Sequence, residues 1–197
     1  MGLCEAVYDW GLIPLERLGL ATLRRRLLTG IPHQTALEVG VGTGLGLQAY
    51  APGQAVVGLD PQRPALERAR HRALRRHHPL LLVQGDAQAL PFGNATFGLV
   101  VFQLVLCTIP EPLRALGEVY RVLRPGGSLV ALEHVRSPRQ PLAWVQHVIT
   151  PLWKHLAGGC HLNRDTVALV KRAGFALDRL ERYLGGVLVI LRATKTL

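Results

Sequence analysis

The sequence predicts an α/β fold: a seven-stranded, mostly parallel sheet with one antiparallel strand, helices on both faces and a helical cap inserted after the fifth strand. Short apolar runs typical of buried strands alternate with segments whose apolar residues recur at helical spacing. A glycine-rich loop follows the first apolar run and opens a strand–helix–strand unit. The length of 197 residues suits one domain, which we assign to residues 1–197.

The alternation of elements runs through most of the chain. The predicted strands lie at residues 35–39, 55–59, 80–83, 97–102, 128–132, 175–183 and 187–194. The predicted helices lie at residues 14–28, 63–76, 113–123 and 164–173. A strong helix breaker, Arg124-Pro125-Gly126-Gly127, precedes the fifth strand. The last two strands are expected to form a hairpin across Gly185-Gly186, and this gives the antiparallel strand.

Residues 137–160 break this alternation and predict the cap. The segment contains three prolines and two tryptophans, Trp144 and Trp153, beside apolar residues. Such a segment suits either a lid over an apolar pocket or an interfacial contact with an anionic membrane. In both cases it indicates a small hydrophobic partner molecule.

Composition limits the class of protein. Hydrophobic residues make up 49% of the chain, as expected for strands buried on both faces, and no apolar run reaches the roughly 20 residues of a membrane span. The N-terminus lacks the pattern of a secretory signal, so we expect a cytoplasmic protein, with peripheral membrane contact as an option. The three cysteines form no C-x-x-C pair. The net charge of +10 predicts attraction to polyanions without choosing among them, and the oligomeric state stays open.

The loops after the strands should form the ligand site, because open α/β sheets bind ligands at the carboxyl ends of their strands. The loop at 40–46 places glycines where the backbone must turn sharply against a ligand. A nicotinamide cofactor is disfavoured, since Leu45 and Leu47 stand where its fingerprint needs glycine. Asp60 closes the second strand, where a carboxylate can accept hydrogen bonds from ribose hydroxyls. Asp86 follows the third strand, where it can accept from an adenine amino group.

In this order and spacing, the segments LEVGVGTG, GLD, GDAQALPF and YRVLRPGG resemble the class I S-adenosylmethionine (SAM) dependent methyltransferases of the ubiquinone and menaquinone biosynthesis type. The resemblance covers roughly residues 35–135 and implies a Rossmann-like fold, SAM as cofactor and no metal. It also implies that Tyr8 closes over SAM, although core packing would explain this tyrosine equally well. The cofactor-binding residues that it implies are Glu38, Gly40, Gly42, Thr43, Gly44, Asp60, Pro61, Asp86, Ala87, Gln103 and Tyr8.

The second half resembles the small thiol and phospholipid methyltransferase-like proteins. The resemblance covers roughly residues 97–175 and rests on the segment VLCTIPEP, the triplet EHV and the pattern GC-x-L-x-R. It implies a small hydrophobic acceptor, either a thiol or a lipid amine, with a quinone ring carbon as the alternative. The animal proteins carry a long N-terminal hydrophobic anchor that has no counterpart in this sequence, so permanent membrane attachment is not expected.

A thiol acceptor would gain from a nearby base or positive charge, because its free pKa is about 8.5. His134 and Arg164 are the catalytic candidates, although a packed histidine and a helix-capping segment would explain them too. Cys160 fits a small buried residue better than a nucleophile. The remaining histidines of the cap region, His147, His155 and His161, match no common ligand spacing, and no metal is expected.

Three other functions are consistent with parts of the sequence. The charge of +10 suggests a nucleic-acid methyltransferase, but the fourth strand lacks the N/D-P-P-Y/F tetrapeptide, and aromatic content of 6% offers few stacking platforms. A SAM-binding regulator without turnover needs no catalytic side chain and stays open. A nicotinamide oxidoreductase is the third alternative, and it would bind NADH instead of SAM.

Overall fold

The computed structural model describes residues 14–32, 34–156 and 158–196, and these form a seven-stranded sheet with the order β3-β2-β1-β4-β5-β7-β6. β7 runs antiparallel to both of its neighbours, β5 and β6, while the other pairs are parallel. The predicted fold class is thereby confirmed. The strands are β1 (Ala36–Val39), β2 (Val56–Asp60), β3 (Leu80–Gln84), β4 (Phe97–Gln103), β5 (Leu123–His134), β6 (Phe175–Tyr183) and β7 (Leu188–Lys195).

Five α-helices surround the sheet in the part of the chain that the structure describes. They are α1 (Ala21–Leu28), α2 (Arg63–Arg75), α3 (Pro112–Val122), α4 (Gln140–Leu156) and α5 (Thr166–Arg172). The predicted helix at 14–28 is present but not regular. A π-helical turn at Glu16–Leu20 precedes α1, and Gly19 within it has a φ of 129°. That conformation is open to glycine and costly for other residues, so the glycine explains the kink.

The sheet has a hydrophobic core on each face. Successive residues of β4 point to opposite sides, so Val100 and Phe102 pack into one core while Leu99 and Val101 pack into the other. The first core is closed by α3 and α5, and the second by α1 and α2. Burial on both faces explains why the strands appear in the sequence as continuous apolar runs.

β5 begins earlier than the sequence suggests. α3 ends at Val122 and β5 starts at Leu123, so the predicted breaker at 124–127 is drawn into the strand. The pairing with β4 shifts register between Phe97 and Leu99. A Cβ on Gly127 would lie 2.8 Å from the carbonyl oxygen of Arg124, so this tight passage admits only glycine.

The cap is one helix of 17 residues, α4, which follows β5. The buried side chain of Gln146 ties it to the sheet by donating to the carbonyls of Val135 and Leu162, at 2.9 Å each, and by accepting from the amide of Ser137 at 2.7 Å. No helix in the described ranges is long and apolar enough to cross a membrane.

Candidate functional site

The glycine loop after β1 has the backbone that its sequence demands. Gly40, Gly42 and Gly44 all have positive φ, at 72°, 53° and 79°. A Cβ on Gly40 would come within 2.3 Å of the Val105 side chain, whereas a Cβ on Gly42 would meet nothing closer than 4.0 Å. Val105 therefore packs against the loop at Gly40, whereas the loop is open at Gly42. A ligand can lie against the backbone on that open side.

Asp60 at the end of β2 is joined to this loop. Its Oδ2 accepts a 3.0 Å hydrogen bond from the amide of Gly42, and its Oδ1 accepts one of 2.9 Å from the amide of Gln62. Burial raises the pKa of Asp60, and the two amide donors oppose that shift. The carboxylate thus fixes the glycine loop against β2. Each oxygen of the Asp60 carboxylate can accept two hydrogen bonds and uses one of these positions for a backbone amide. The carboxylate can therefore accept from further donors, such as ribose hydroxyls.

Thr43 is held from α2. Its hydroxyl and its carbonyl oxygen both accept from the guanidinium of Arg72, the hydroxyl at 3.0 Å. Thr43 is buried and lines the same cavity as Gly40 and Gly42. This contact fixes the loop from the side opposite Asp60.

A chain of buried polar side chains runs beside the loop. The Nε of Arg24 donates to Glu16 at 2.8 Å, and its Nη1 donates to the Oε1 of Gln103 at 2.8 Å. Gln103 in turn donates from Nε2 to the Oε1 of Glu38 at 3.1 Å. The chain joins the π-helical turn, α1, β4 and β1, and it brings together the predicted residues Glu38 and Gln103.

Arg24 and Glu16 were not among the predicted site residues, because the arginines at 24–26 suggest a solvated end of the helix. The structure buries Arg24 to 3% exposure and leaves Arg25 exposed. A signal was available in the sequence, since positions 16, 20, 24 and 27 share one helical face with the buried Leu20 and Leu27. Helical periodicity would have placed Arg24 against the sheet.

Within this series of hydrogen-bonded side chains, the carboxyl group of Glu38 has one oxygen without a bonded partner. Burial raises its pKa to about 7. Its buried Oε2 accepts no hydrogen bond of ordinary geometry within the described part of the chain, but the Tyr50 hydroxyl lies close enough to Glu38 to oppose the rise of its pKa. A small cavity of about 40 Å³ lies here. It is lined by Arg24, Glu38, Gly40, Val41, Gly42, Thr43, Leu45, Gly46 and Gln103.

The predicted residues after β2 and β3 lie further along the same edge of the sheet. Asp86 is exposed and accepts from the backbone and side chain of Gln88 at 2.8 to 3.1 Å. Ala87 is buried, and the carbonyl of Pro61 accepts from the side chain of Gln84 at 3.1 Å. Asp86 is therefore accessible to a ligand, although its oxygens already hold Gln88.

His134 at the end of β5 faces a cysteine. Its Nε2 lies 3.1 Å from the Sγ of Cys160, and the indole N–H of Trp153 donates to the same sulfur at 3.3 Å. The Sγ of Cys107 belongs to this group, because the two sulfurs and a ring nitrogen of His134 all lie within 4.8 Å of one another. Burial opposes protonation of His134, but the Cys160 sulfur and Glu133 raise its pKa above the ordinary value.

Arg164 approaches the same group from the loop before α5. Its Nη1 donates to the carbonyl oxygens of Leu106 at 2.6 Å and Ile109 at 2.7 Å, so it fastens the loop after β4. The side chain is half-buried. Burial lowers its pKa, and the cysteine pair and the carboxyl group of Glu133 oppose that shift. The structure thus brings the two catalytic candidates, Arg164 and His134, to one place around the cysteines.

The other predicted features are dispersed. The Nδ1 atoms of His147, His155 and His161 contact Asn163, the Pro151 carbonyl and the Cys107 carbonyl, respectively. In the described ranges, the group of His, Cys and acidic residues that could hold a metal ion is Cys107, His134 and Cys160. Tyr8 lies outside the described residues.

Comparison with known proteins identifies the class. Residues 37–131 match a family model described as a methyltransferase domain. Residues 37–131 are thus a methyltransferase domain by sequence, and the seven-stranded sheet is the Rossmann-like fold of SAM-dependent methyltransferases. The fold agrees with solved structures, among them a SAM-dependent methyltransferase of Thermotoga maritima with a TM-score of 0.74, 22% identity and coverage of 96% of each chain.

Several curated relatives carry the name thiol S-methyltransferase TMT1B. The protein of Rattus norvegicus is 39% identical over 75% of this chain and 62% of its own length, and that of Homo sapiens is 38% identical over 79% and 66%. A phosphatidylethanolamine N-methyltransferase of Cereibacter sphaeroides is 40% identical over 57% of each chain. The chain thus spans less than two thirds of these curated relatives.

The site suits SAM, the cofactor that the family implies. SAM carries a positive charge on its ammonium group and another on its sulfonium, and the half-paired Glu38 carboxyl offers a buried acceptor for a cation. The open side of Gly42 leaves room for a ligand against the loop, and Asp60 offers acceptors to a ribose. These residues fit the cofactor.

Proposed function

We propose that this protein transfers a methyl group from SAM to a small hydrophobic acceptor, either a thiol or a lipid amine. The observation that carries the proposal is the buried chain Arg24–Gln103–Glu38 beside the glycine loop. It holds an unpaired carboxylate oxygen at the carboxyl edge of the sheet. An unpaired buried acceptor costs about 1–3 kcal/mol, and a cationic group of a bound ligand would remove that cost.

Each residue of the site has a role in this proposal. Glu38, kept in place by Gln103, would hold the methionine ammonium, and Asp60 would hold the ribose while it fixes Gly42. Asp86 would accept from the adenine amino group. SAM supplies an already activated methyl group when bound, so the chain's own task is to align the acceptor, exclude water and supply a deprotonated nucleophile.

The acceptor site is proposed at the ends of β4 and β5, where His134 and Arg164 meet. His134 would take the proton of a thiol, and the positive charge of Arg164 would favour the thiolate. The names of the relatives at 38–39% identity support a thiol, and that of the relative from Cereibacter sphaeroides supports a lipid amine. A demethylmenaquinone methyltransferase of Thermus thermophilus, 39% identical over 57% of this chain, supports the quinone alternative.

A second observation favours an acceptor delivered from a membrane surface. The outer face of α4 carries exposed apolar side chains, with Trp144 at 68% and Leu152 at 66% exposure, beside Lys154 and His155 in its last turn. Amphipathic helices with aromatic residues on one face and cations nearby bind at the interface of anionic membranes. We therefore propose peripheral contact of α4 with an anionic lipid surface.

The deciding experiment offers labelled methyl from SAM to three acceptors in parallel: a hydrophobic thiol, a phosphatidylethanolamine vesicle and a demethylated quinol. Label in the thiol or the lipid fraction supports the proposal and names the acceptor. Label in the quinol alone replaces it with the alternative. Bound SAM with no label in any fraction would favour a SAM-binding regulator, and the folded Asp60→Ala variant serves as the control with weakened SAM binding.

A further inference from the structure

Two cysteines and a histidine form a largely buried group, of which the proposed methyl transfer uses only His134. Cys107 lies in the loop after β4, His134 ends β5, and Cys160 lies between α4 and α5. These segments are far apart in sequence, yet the reactive atoms lie within 4.8 Å of one another. None of the three residues lines the cavity beside the glycine loop.

The surroundings make Cys160 the more reactive of the two thiols. It receives a hydrogen bond from the indole of Trp153 and lies 3.1 Å from the ring nitrogen of His134. Its pKa is lowered to about 4, chiefly by the hydrogen bond with Cys107, with His134 and Trp153 acting in the same direction. The thiolate is the nucleophilic form of cysteine, and a neighbouring cation and N–H donors stabilise it.

Cys107 has the opposite character. Its Sγ donates to the carbonyl of Leu104 at 3.8 Å, and the neighbouring Cys160 sulfur, burial and the charge of Glu133 all raise its pKa well above the ordinary value. It is 2% exposed, compared with 6% for Cys160. The group therefore combines a thiolate that a small oxidant can reach first with a protonated thiol beside it. Redox-sensing proteins use this pairing of an attacking and a resolving cysteine.

We propose that Cys160 and Cys107 are a redox-active pair that a hydroperoxide oxidises to a disulfide. The Cys160 thiolate attacks one peroxide oxygen, so that an S–O bond forms, the O–O bond breaks and the leaving hydroxide takes a proton from the His134 imidazolium. The product is a sulfenic acid and water. Cys107 then attacks the Cys160 sulfur, the S–O bond breaks, and the disulfide forms with release of a second water.

The disulfide would join the loop after β4 to the segment that ends the cap. The loop already rests on Arg164 through two carbonyls, and Glu133 accepts from the amides of Val105 and Leu106 at 2.8 and 3.0 Å. Val105, in the loop after β4, also packs against Gly40. This contact links the loop that holds Cys107 to the glycine loop. Oxidation would thus fix the cap relative to the cofactor edge of the sheet.

The test uses the full chain with Cys4→Ser, which leaves these two cysteines. Hydrogen peroxide is added at neutral pH, and free thiols and intact mass are followed over time. The expected result is the loss of both thiols together with the loss of two hydrogens in mass, reversed by dithiothreitol. In Cys107→Ser the reaction should stop at a sulfenic acid that dimedone traps. In Cys160→Ser, thiol loss should slow by about tenfold or more.

Three outcomes would overturn the proposal. The first is that both thiols of the folded protein survive peroxide while they react after unfolding. The second is dimedone labelling of Cys160→Ser instead of Cys107→Ser. The third is stoichiometric zinc in the purified protein, with both thiols becoming reactive once a chelator removes the zinc. That result would make the group a metal site. None of these readouts depends on methyl transfer, so a failure here leaves the proposed function untouched.

Discussion

The guanidinium of Arg24 donates a 2.8 Å hydrogen bond to Gln103, and this bond joins a helix near the start of the described chain to the end of the central strand β4. The same guanidinium pairs with Glu16 at 2.8 Å, and both side chains are at most 9% exposed. A buried pair of this kind is costly to break from one side, because the remaining charge stays uncompensated.

Replacing Arg24 with methionine should therefore destabilise the fold by about 3 kcal/mol. Urea denaturation measures the free energy of unfolding. Arg25→Met is the matched control, since the neighbouring Arg25 is exposed and its substitution should change that free energy by less than about 0.5 kcal/mol. Equal effects of the two substitutions would show that the buried network contributes nothing to stability.

Asp60→Ala should weaken SAM binding by about 1–3 kcal/mol, through the lost acceptors and through release of the Gly42 amide. Isothermal titration calorimetry gives the affinity, and circular dichroism checks that the variant is folded. Asp178→Ala provides a matched control, because that carboxylate is exposed on β6 and bonds only Thr194 in the described chain. An unchanged SAM affinity in folded Asp60→Ala would remove Asp60 from the cofactor site.

The buried Glu133 should make stability depend on pH. Burial raises its pKa from the ordinary 4.5 to about 7. Between these values the native state keeps the proton that the unfolded state has lost, so the stabilising contribution is complete below about pH 4.5 and declines as the pH rises through 7. The effect amounts to at most about 3 kcal/mol.

Glu133→Gln retains an oxygen for the amides of Val105 and Leu106 but cannot ionise. Relative to the parent protein it should gain stability as the pH rises from 5 to 8. Chemical denaturation at each pH measures this difference, and taking the difference cancels the titration of the other groups. A difference that stays constant across the range would show that Glu133 has the same pKa in both states.

Trp144→Ser combined with Leu152→Ser should reduce binding to vesicles of anionic phospholipid by about tenfold or more, since each exposed side chain would bury apolar surface in the membrane. Cosedimentation measures the bound fraction, at low and at high salt. Leu74→Ser is the matched control, because Leu74 is 63% exposed on α2, away from the cap. Equal binding by the parent and both variants would contradict the proposed membrane contact.

The sequence by itself determined the order of strands and helices, the glycine loop and the acids that follow the strands. Apolar periodicity and turn residues act over a few neighbouring positions, so Gly40, Asp60 and Asp86 could be assigned from their local patterns. The hairpin of β6 and β7 followed from the turn at 185–186, whereas the pairing of β7 with β5 was not predicted. Element ends were less certain, and β5 begins at Leu123 because its pairing with β4 extends past that breaker.

Only the tertiary structure decided which polar groups meet. Arg24 and Gln103 are separated by 79 positions, and Cys107 and Cys160 lie in loops that the sheet brings together. Such contacts depend on how helices pack onto strand ends, and a single sequence carries no local signal for that packing. Helical periodicity puts Arg24 on the buried face of its helix, but only the tertiary structure shows that it meets Gln103 and, through Gln103, the carboxyl group of Glu38.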